Sequence, residues 1–267
     1  PSAVTFSETV KNIMTSLAQG LSVAAMAIIG QLNGRGDFAQ SKRTSTQIVV
    51  AGSALGCLSA PLLVGVGAII SSSVNAQISH NVFLYLSLYA FVLPFSFMES
   101  IYNGIKNANG QPEAPFIRMI IMLMLKIAFN VIFIYWFRLG IVGCALSSLL
   151  ANFSVTRWMF HELFMKEGPD RLELKGFGFD PEILRQLARI GAPAMLNSFL
   201  LNLGFYLINS ETQKYGPVVL NGQGIAGNIS AVCFNLPGAF SAAATTMVSM
   251  NVGAGKPAKA KRSCIYA

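Results

Sequence analysis

The chain has 267 residues, of which 53% are hydrophobic and only 11% charged, with a mean hydropathy of +0.55. Ordinary soluble domains carry roughly 25% charged residues, so too few remain here to coat a water-soluble enzyme, and the composition points to a protein dissolved in lipid. The formal net charge of +8 does not indicate nucleic acid, because the basic residues are divided among short loops separated by long apolar runs.

Seven windows are apolar and long enough to cross a bilayer as helices: approximately 10–32, 45–72, 81–105, 116–137, 139–160, 188–210 and 217–250. The first is followed by "GRGDFAQSKR" (34–43), whose Arg35-Gly36-Asp37 would read as an adhesion loop in a secreted protein. Loops alternate in side along such a chain. Fifteen of the nineteen Lys and Arg residues then fall on one side, among them Arg35, Lys42, Arg43, Lys106, Arg118, Arg185, Arg189 and Lys256, whereas Lys11, Arg138 and Lys214 fall on the other. This bias assigns the basic loops to the cytoplasm. It also removes the adhesion reading, because no extracellular receptor reaches that loop.

The third window holds Glu99 and the fourth holds Lys126. A charge within the membrane is costly unless it faces a cavity or a partner. At 1.5 Å rise per residue both lie about 12–13 Å from the same side, on successive antiparallel helices, and the expectation is that they pair. After the fifth window comes the one long polar stretch, "KEGPDRLELKGFGFDPEILRQLARIGAP" (166–193), the natural divide between two halves. Asp180-Pro181 has the form of a helix N-cap followed by proline at the first helical position. Ile183, Leu184, Leu187 and Ile190 then recur at helical spacing opposite Arg185, Gln186 and Arg189, as expected of an amphipathic segment on the membrane surface. The domains read as 1–165, an amino-terminal lobe; 166–187, a cytoplasmic linker with its amphipathic segment; and 188–267, the start of a carboxyl-terminal lobe.

The last window ends in "GAGKPAKAKR" (253–262), which repeats Gly34, Gly36, Ala39, Lys42 and Arg43 as Gly253, Gly255, Ala258, Lys261 and Arg262 at a constant offset of 219. Upstream, "SVAAMAIIGQLNGRGD" aligns with "SAAATTMVSMNVGAGK" at the same offset. The window at 217–250 is therefore a second copy of that at 10–32. Repeat phase and topology together imply one further helix before Pro1 and about four after Ala267. The fold class is all-α membrane protein, with two repeat-related lobes and seven helices in this chain.

Several motifs carry no chemistry. "GQGIAG" (222–227) matches a dinucleotide fingerprint, which needs a strand before it and an acidic residue about 20 positions on; no Asp or Glu follows Glu211. Its glycines serve close helix packing. Cys57, Cys144, Cys233 and Cys264 are scattered, and His80 and His161 stand apart from them, so neither a disulfide framework nor a metal site is expected. No nucleophile with a base and no paired carboxylates stand out, and an enzyme is not expected.

The two glycine loops with trailing basic residues, "NGIKNANGQPEAP" (103–115), "KIAFN" (126–130), "GIVGCALSSLLAN" (140–152) and "LARIGAPAMLNS" (187–198) together resemble the multidrug and toxic compound extrusion (MATE) transporters. The resemblance implies that the chain spans the second to eighth of twelve helices. It further implies efflux of cationic or amphipathic compounds by alternating access, coupled to a proton or sodium gradient, by a monomeric multi-pass protein of the inner or plasma membrane. No cofactor beyond the coupling ion is implied, and the partners are a small-molecule substrate and the bilayer, without nucleic acid. In that family the amino-lobe cation site uses a first-helix carboxylate and fifth-helix asparagines. Asn130 matches one such position, while Lys126 stands where an asparagine is common. A seventh-helix glutamate of many bacterial members is absent, with Leu201 and Asn202 in its neighbourhood. Glu99, Lys126, Asn130, Asn152, Asn197 and Asn202 are the candidate residues of the substrate and ion pathway. Two alternatives are a lipid-linked oligosaccharide flippase of the same superfamily, which calls for a cavity lined by several basic residues, and a seven-helix receptor, which would not repeat itself.

Overall fold

The computed structural model describes residues 2–73, 76–166, 171–172 and 178–266. Among them the secondary structure is helical: α1 (Ser2–Arg35), α2 (Phe38–Ser73), α3 (Ala76–Ala90), α4 (Leu93–Ala108), α5 (Glu113–Asn130), α6 (Gly140–Phe160), α7 (Pro181–Gln213), α8 (Pro217–Gly253) and α9 (Pro257–Tyr266). A π-helical turn extends α5 over Val131–Trp136, and another extends α6 over His161–Met165. The expected count of seven helices is therefore corrected, although the all-α class holds. Four helices among the described residues are long and apolar enough to span a membrane, or five if α3 and α4 are one bent span.

Two local causes raise the count. The window at 81–105 breaks between α3 and α4 with a bend of 52°. Pro94 lies in the first turn of α4, where its ring excludes the carbonyl four residues back, that of Ala90, from a continuous helix. Beyond the last window, a glycine turn at Gly255 starts α9.

That turn occurs three times. Gly36, Gly110 and Gly255 adopt φ of 79°, 73° and 68°, a left-handed conformation that favours glycine. In each, the glycine N–H donates to the carbonyl three residues back, Asn33, Asn107 and Val252, at 3.0, 3.0 and 3.1 Å. The next N–H reaches five residues back, from Asp37 to Leu32, Gln111 to Lys106 and Lys256 to Asn251. The Arg35-Gly36-Asp37 stretch is thus a helix stop and start. Asp37 Oδ1 accepts from the Gln40 N–H at 3.1 Å, capping α2.

α1 is the central helix. Leu21, Ala25 and Ile29 on it are almost fully buried with Phe97, Met98, Ile101 and Tyr102 of α4. A second cluster joins Leu63 of α2 with Leu86 and Tyr89 of α3 and Leu93 of α4. α5 lies on the periphery, with only Arg118 and Met122 buried. Its exposed Phe116, Met119, Leu123, Met124 and Ile127 are what a lipid-facing helix requires.

α7 is a single helix from Pro181, so the amphipathic segment is its first turns and not a separate element. The Asp180 carboxylate accepts from the Glu182 N–H at 3.0 Å, and Gln47 of α2 donates to the Asp180 carbonyl at 2.8 Å. Ile183 and Leu187 are buried while Arg185, Gln186 and Arg189 are exposed, as the spacing predicts. Pro193 lies inside the helix without ending it. Nine residues of the expected linker, 167–170 and 173–177, lie outside the described residues.

Candidate functional site

The two copies of the repeat meet each other. A Cβ on Gly34 would collide with the carbonyl oxygen of Met250, and a Cβ on Gly253 would collide with that of Gln31. Gln31 and Met250 are themselves separated by 219, as are Gly34 and Gly253, so the contact is reciprocal, as around a two-fold axis. Gly30 abuts its own counterpart, Ser249, whose hydroxyl donates to the Met26 carbonyl at 3.3 Å. Glycine permits this backbone-to-backbone approach because any side chain would hold the helices apart. α1 also meets α7 closely, Gly20 against Met195.

These contacts lie toward the ends that carry the basic loops. Going away from them along α8, every described side chain from Val218 to Val248 is exposed or half-buried, and Ser249 is the first buried one. The two copies therefore converge on the basic side, and away from it α8 presents unburied surface whereas α1 stays buried.

Within the first lobe, α4 carries a polar stripe of Glu99, Tyr102 and Lys106 at helical spacing. Glu99 Oε1 meets Arg118 Nη2 of α5 at 2.7 Å. The cation that the structure places on Glu99 is thus Arg118, which the loop count had assigned to the basic surface. Five residues into α5, the Arg118 side chain is 4% exposed, and its Nε and Nη1 lack a hydrogen-bond partner. Lys126 lies two turns further along the same helix and is half-buried.

A second ionic cluster, absent from the expected site residues, closes the basic end of this lobe. Lys106 Nζ lies 2.9 Å from Glu162 Oε1 and 3.1 Å from Gln111 Oε1, and the Tyr102 hydroxyl donates to Glu162 Oε2 at 2.6 Å. Burial pushes the Glu162 carboxyl up, but the Tyr102 hydroxyl and the Lys106 ammonium outweigh it and hold the group below its ordinary value. The signal for this cluster was the spacing on α4 itself, three polar side chains on one face of an apolar helix.

The candidate asparagines are not gathered into one site. Asn130 is half-buried at the end of α5, its Oδ1 without a partner. Asn152 and Asn202 donate to carbonyls of their own helices, those of Ser148 at 2.7 Å and Ser198 at 2.9 Å. Asn197 is exposed on α7. "GQGIAG" lies inside α8, and among the described residues no strand opens a dinucleotide fold.

Comparison with known proteins adds three findings. The MatE family model matches residues 2–132 and 193–267. The multidrug export protein MepA of Staphylococcus aureus is 26% identical over 232 residues, covering 84% of this chain and 50% of that protein. The multidrug resistance protein MdtK of Cronobacter sakazakii is 28% identical over 258 residues, covering 91% and 55%. The chain thus spans about half the length of these relatives. Among solved structures, a MOP superfamily transporter from Pyrococcus furiosus superposes with a TM-score of 0.88 at 21% identity, over 99% of this chain and 60% of that one. An outward-facing multidrug resistance MATE family transporter superposes with a TM-score of 0.85 at 21% identity, also over 99% and 60%.

Proposed function

Because the chain belongs to the MatE family, a family of multi-pass cell-membrane transporters, we propose that it forms the translocating core of a secondary exporter of cationic or amphipathic compounds. It works by alternating access and is coupled to a proton or sodium gradient. The observation that carries this reading is the reciprocal crossing of α1 and α8 at Gly34 and Gly253, closed on the basic side, while α8 stays unburied away from it. Such a crossing is a hinge between two like bodies, and the substrate then lies near the membrane midplane between them. We assign the basic side to the cytoplasm and the conformation to an outward-open state.

The names of MepA and MdtK support drug export, and membership of the family ends the receptor reading. For the flippase alternative, the basic side chains available near the first lobe's interior are Lys106, Arg118 and Lys126. The first two are engaged by Glu162 and Glu99, which favours export of cations over an anionic lipid-linked sugar. Glu99 is our candidate for the ion pathway, because it is a carboxylate well inside a spanning helix and its side chain is 29% exposed.

The test is efflux of a lipophilic cation such as ethidium by the full-length protein in proteoliposomes, with proton and sodium gradients imposed separately. One gradient should drive efflux, and Glu99→Gln should reduce it. Absence of ethidium movement under both gradients, together with movement of a lipid-linked oligosaccharide, would overturn the reading in favour of the flippase.

A further inference from the structure

The start of α2 carries a run of polar side chains in a place where packing alone would favour apolar ones. Ser41, Thr44, Ser45, Thr46 and Gln47 are each no more than 5% exposed. Thr46 is satisfied within the helix, its hydroxyl donating to the Lys42 carbonyl at 3.0 Å. The Thr44 hydroxyl and Gln47 Oε1 are not: both are buried without a hydrogen-bond partner among the described residues. These two residues, one turn apart, belong to the side of α2 that meets the start of α7. Gln47 Nε2 donates to the carbonyl of Asp180, the α7 N-cap, at 2.8 Å. Thr44 stands with Asp180, Glu182 and Ile183 in the wall of a cavity of about 620 Å³ between α1, α2 and α7.

The second copy of the repeat shows the same turn in a more open setting. Ser263 of α9 lies 219 residues after Thr44 and is half-buried. Its hydroxyl donates to the Lys259 carbonyl at 3.0 Å and accepts from Asn251 Nδ2 at 3.2 Å. The missing hydrogen bond at Thr44 therefore goes with the closeness of α7 and is not a property of the turn itself.

We propose that Gln47 and Thr44 set the balance between the states closed and open on the basic side. The Gln47 bond to Asp180 holds α7, in the second lobe, against α2, in the first. The Thr44 hydroxyl and Gln47 Oε1 oppose that closure, because water reaches them only when α7 moves off. A buried polar atom without a partner costs free energy of the same order as one neutral hydrogen bond gains, so the two effects offset each other and neither state dominates. Apolar residues at both positions would leave the closed side favoured. This inference rests on the alternating-access reading and adds to it the residues that weigh the two states.

Spin labels on cysteines replacing Ala39 of α2 and Arg185 of α7, both exposed, measure the balance in the full-length protein in nanodiscs. The parent should show two distance populations. Thr44→Val keeps the side-chain shape and removes the unpaired hydroxyl, and should shift the ratio toward the shorter distance by roughly tenfold. Thr44→Ser keeps a hydroxyl and should leave the ratio near that of the parent. Gln47→Glu turns an acceptor toward the Asp180 carbonyl and should shift the ratio toward the longer distance. Opposite shifts from substitutions one turn apart are not what a folding defect produces. Two populations whose ratio is unmoved by Thr44→Val, or moved toward the longer distance, overturn the proposal alone. A single population in a parent that still transports overturns the alternating-access reading and this proposal with it.

Discussion

Glu99 announces itself in the sequence, since a carboxylate within an apolar window needs a reason to be there. Arg118 does not, because five residues from a loop it reads as part of the basic surface until α5 is seen to start at Glu113 and bury it. Removing one member of a buried ion pair strands the other, at about 3–5 kcal/mol. Glu99→Gln and Arg118→Met should each destabilise by that order, while the double variant costs less than the sum by at least about 1 kcal/mol. Thermal unfolding of the four proteins of this cycle measures the difference, and additive losses would show that the pair does not couple.

The Glu162 cluster makes a pH prediction of definite sign. Its carboxyl is held below its ordinary value, so its charged form stabilises the fold at neutral pH. That contribution is present above the unfolded value of about 4.3 and is lost as pH falls through the lower folded value. The stability gap between the native protein and Glu162→Gln should therefore be present at pH 7 and shrink below about pH 4. A gap unchanged from pH 7 to pH 3 would contradict the assignment. Tyr102→Phe removes the hydroxyl bond to the same carboxylate and should cost about 1–3 kcal/mol, since the bond is to a charged group.

At the scale of elements, the pattern that a sequence displays well is the long apolar window, and all seven windows became helix. Interruptions were less visible. The break before Pro94 sits inside a continuous apolar run, and the continuity of α7 through Gly191-Ala192-Pro193 runs against local punctuation because neighbouring helices support it. The glycine turns were legible as a repeat, but their reciprocal contact was not, since the closeness of Gly34 to Met250 depends on where two distant helices cross. Gly34→Ala and Gly253→Ala measure that contact. An exposed helical glycine gains up to about 1 kcal/mol on becoming alanine. Here a methyl group meets a backbone carbonyl, and each change should instead destabilise the closed side by about 1–3 kcal/mol. Reactivity of a cysteine placed at Ser249 reports the opening, and should rise in both variants. A cysteine as protected as in the parent would show that the helices do not need the glycines.

For the whole molecule, two copies of one helix and turn related by 219 residues specify a pair of like helices, and their inner ends touch. The class, the repeat and the membrane setting could all be read from composition and periodicity. The conformation could not, because it depends on which ends of equivalent helices are in contact, and apolar pattern is the same in either state. Ala39 and Ala258 are exposed, equivalent positions at the starts of α2 and α9, so spin labels on cysteines there report directly on the closed side. In the full-length protein in nanodiscs, the distance between them should fall into two populations, the shorter matching the closed crossing described here. A lipophilic cation, or a change of proton or sodium concentration, should shift the balance between them. A single distance that stays fixed under every such condition, in protein that still transports, would contradict alternating access about the α1 and α8 crossing.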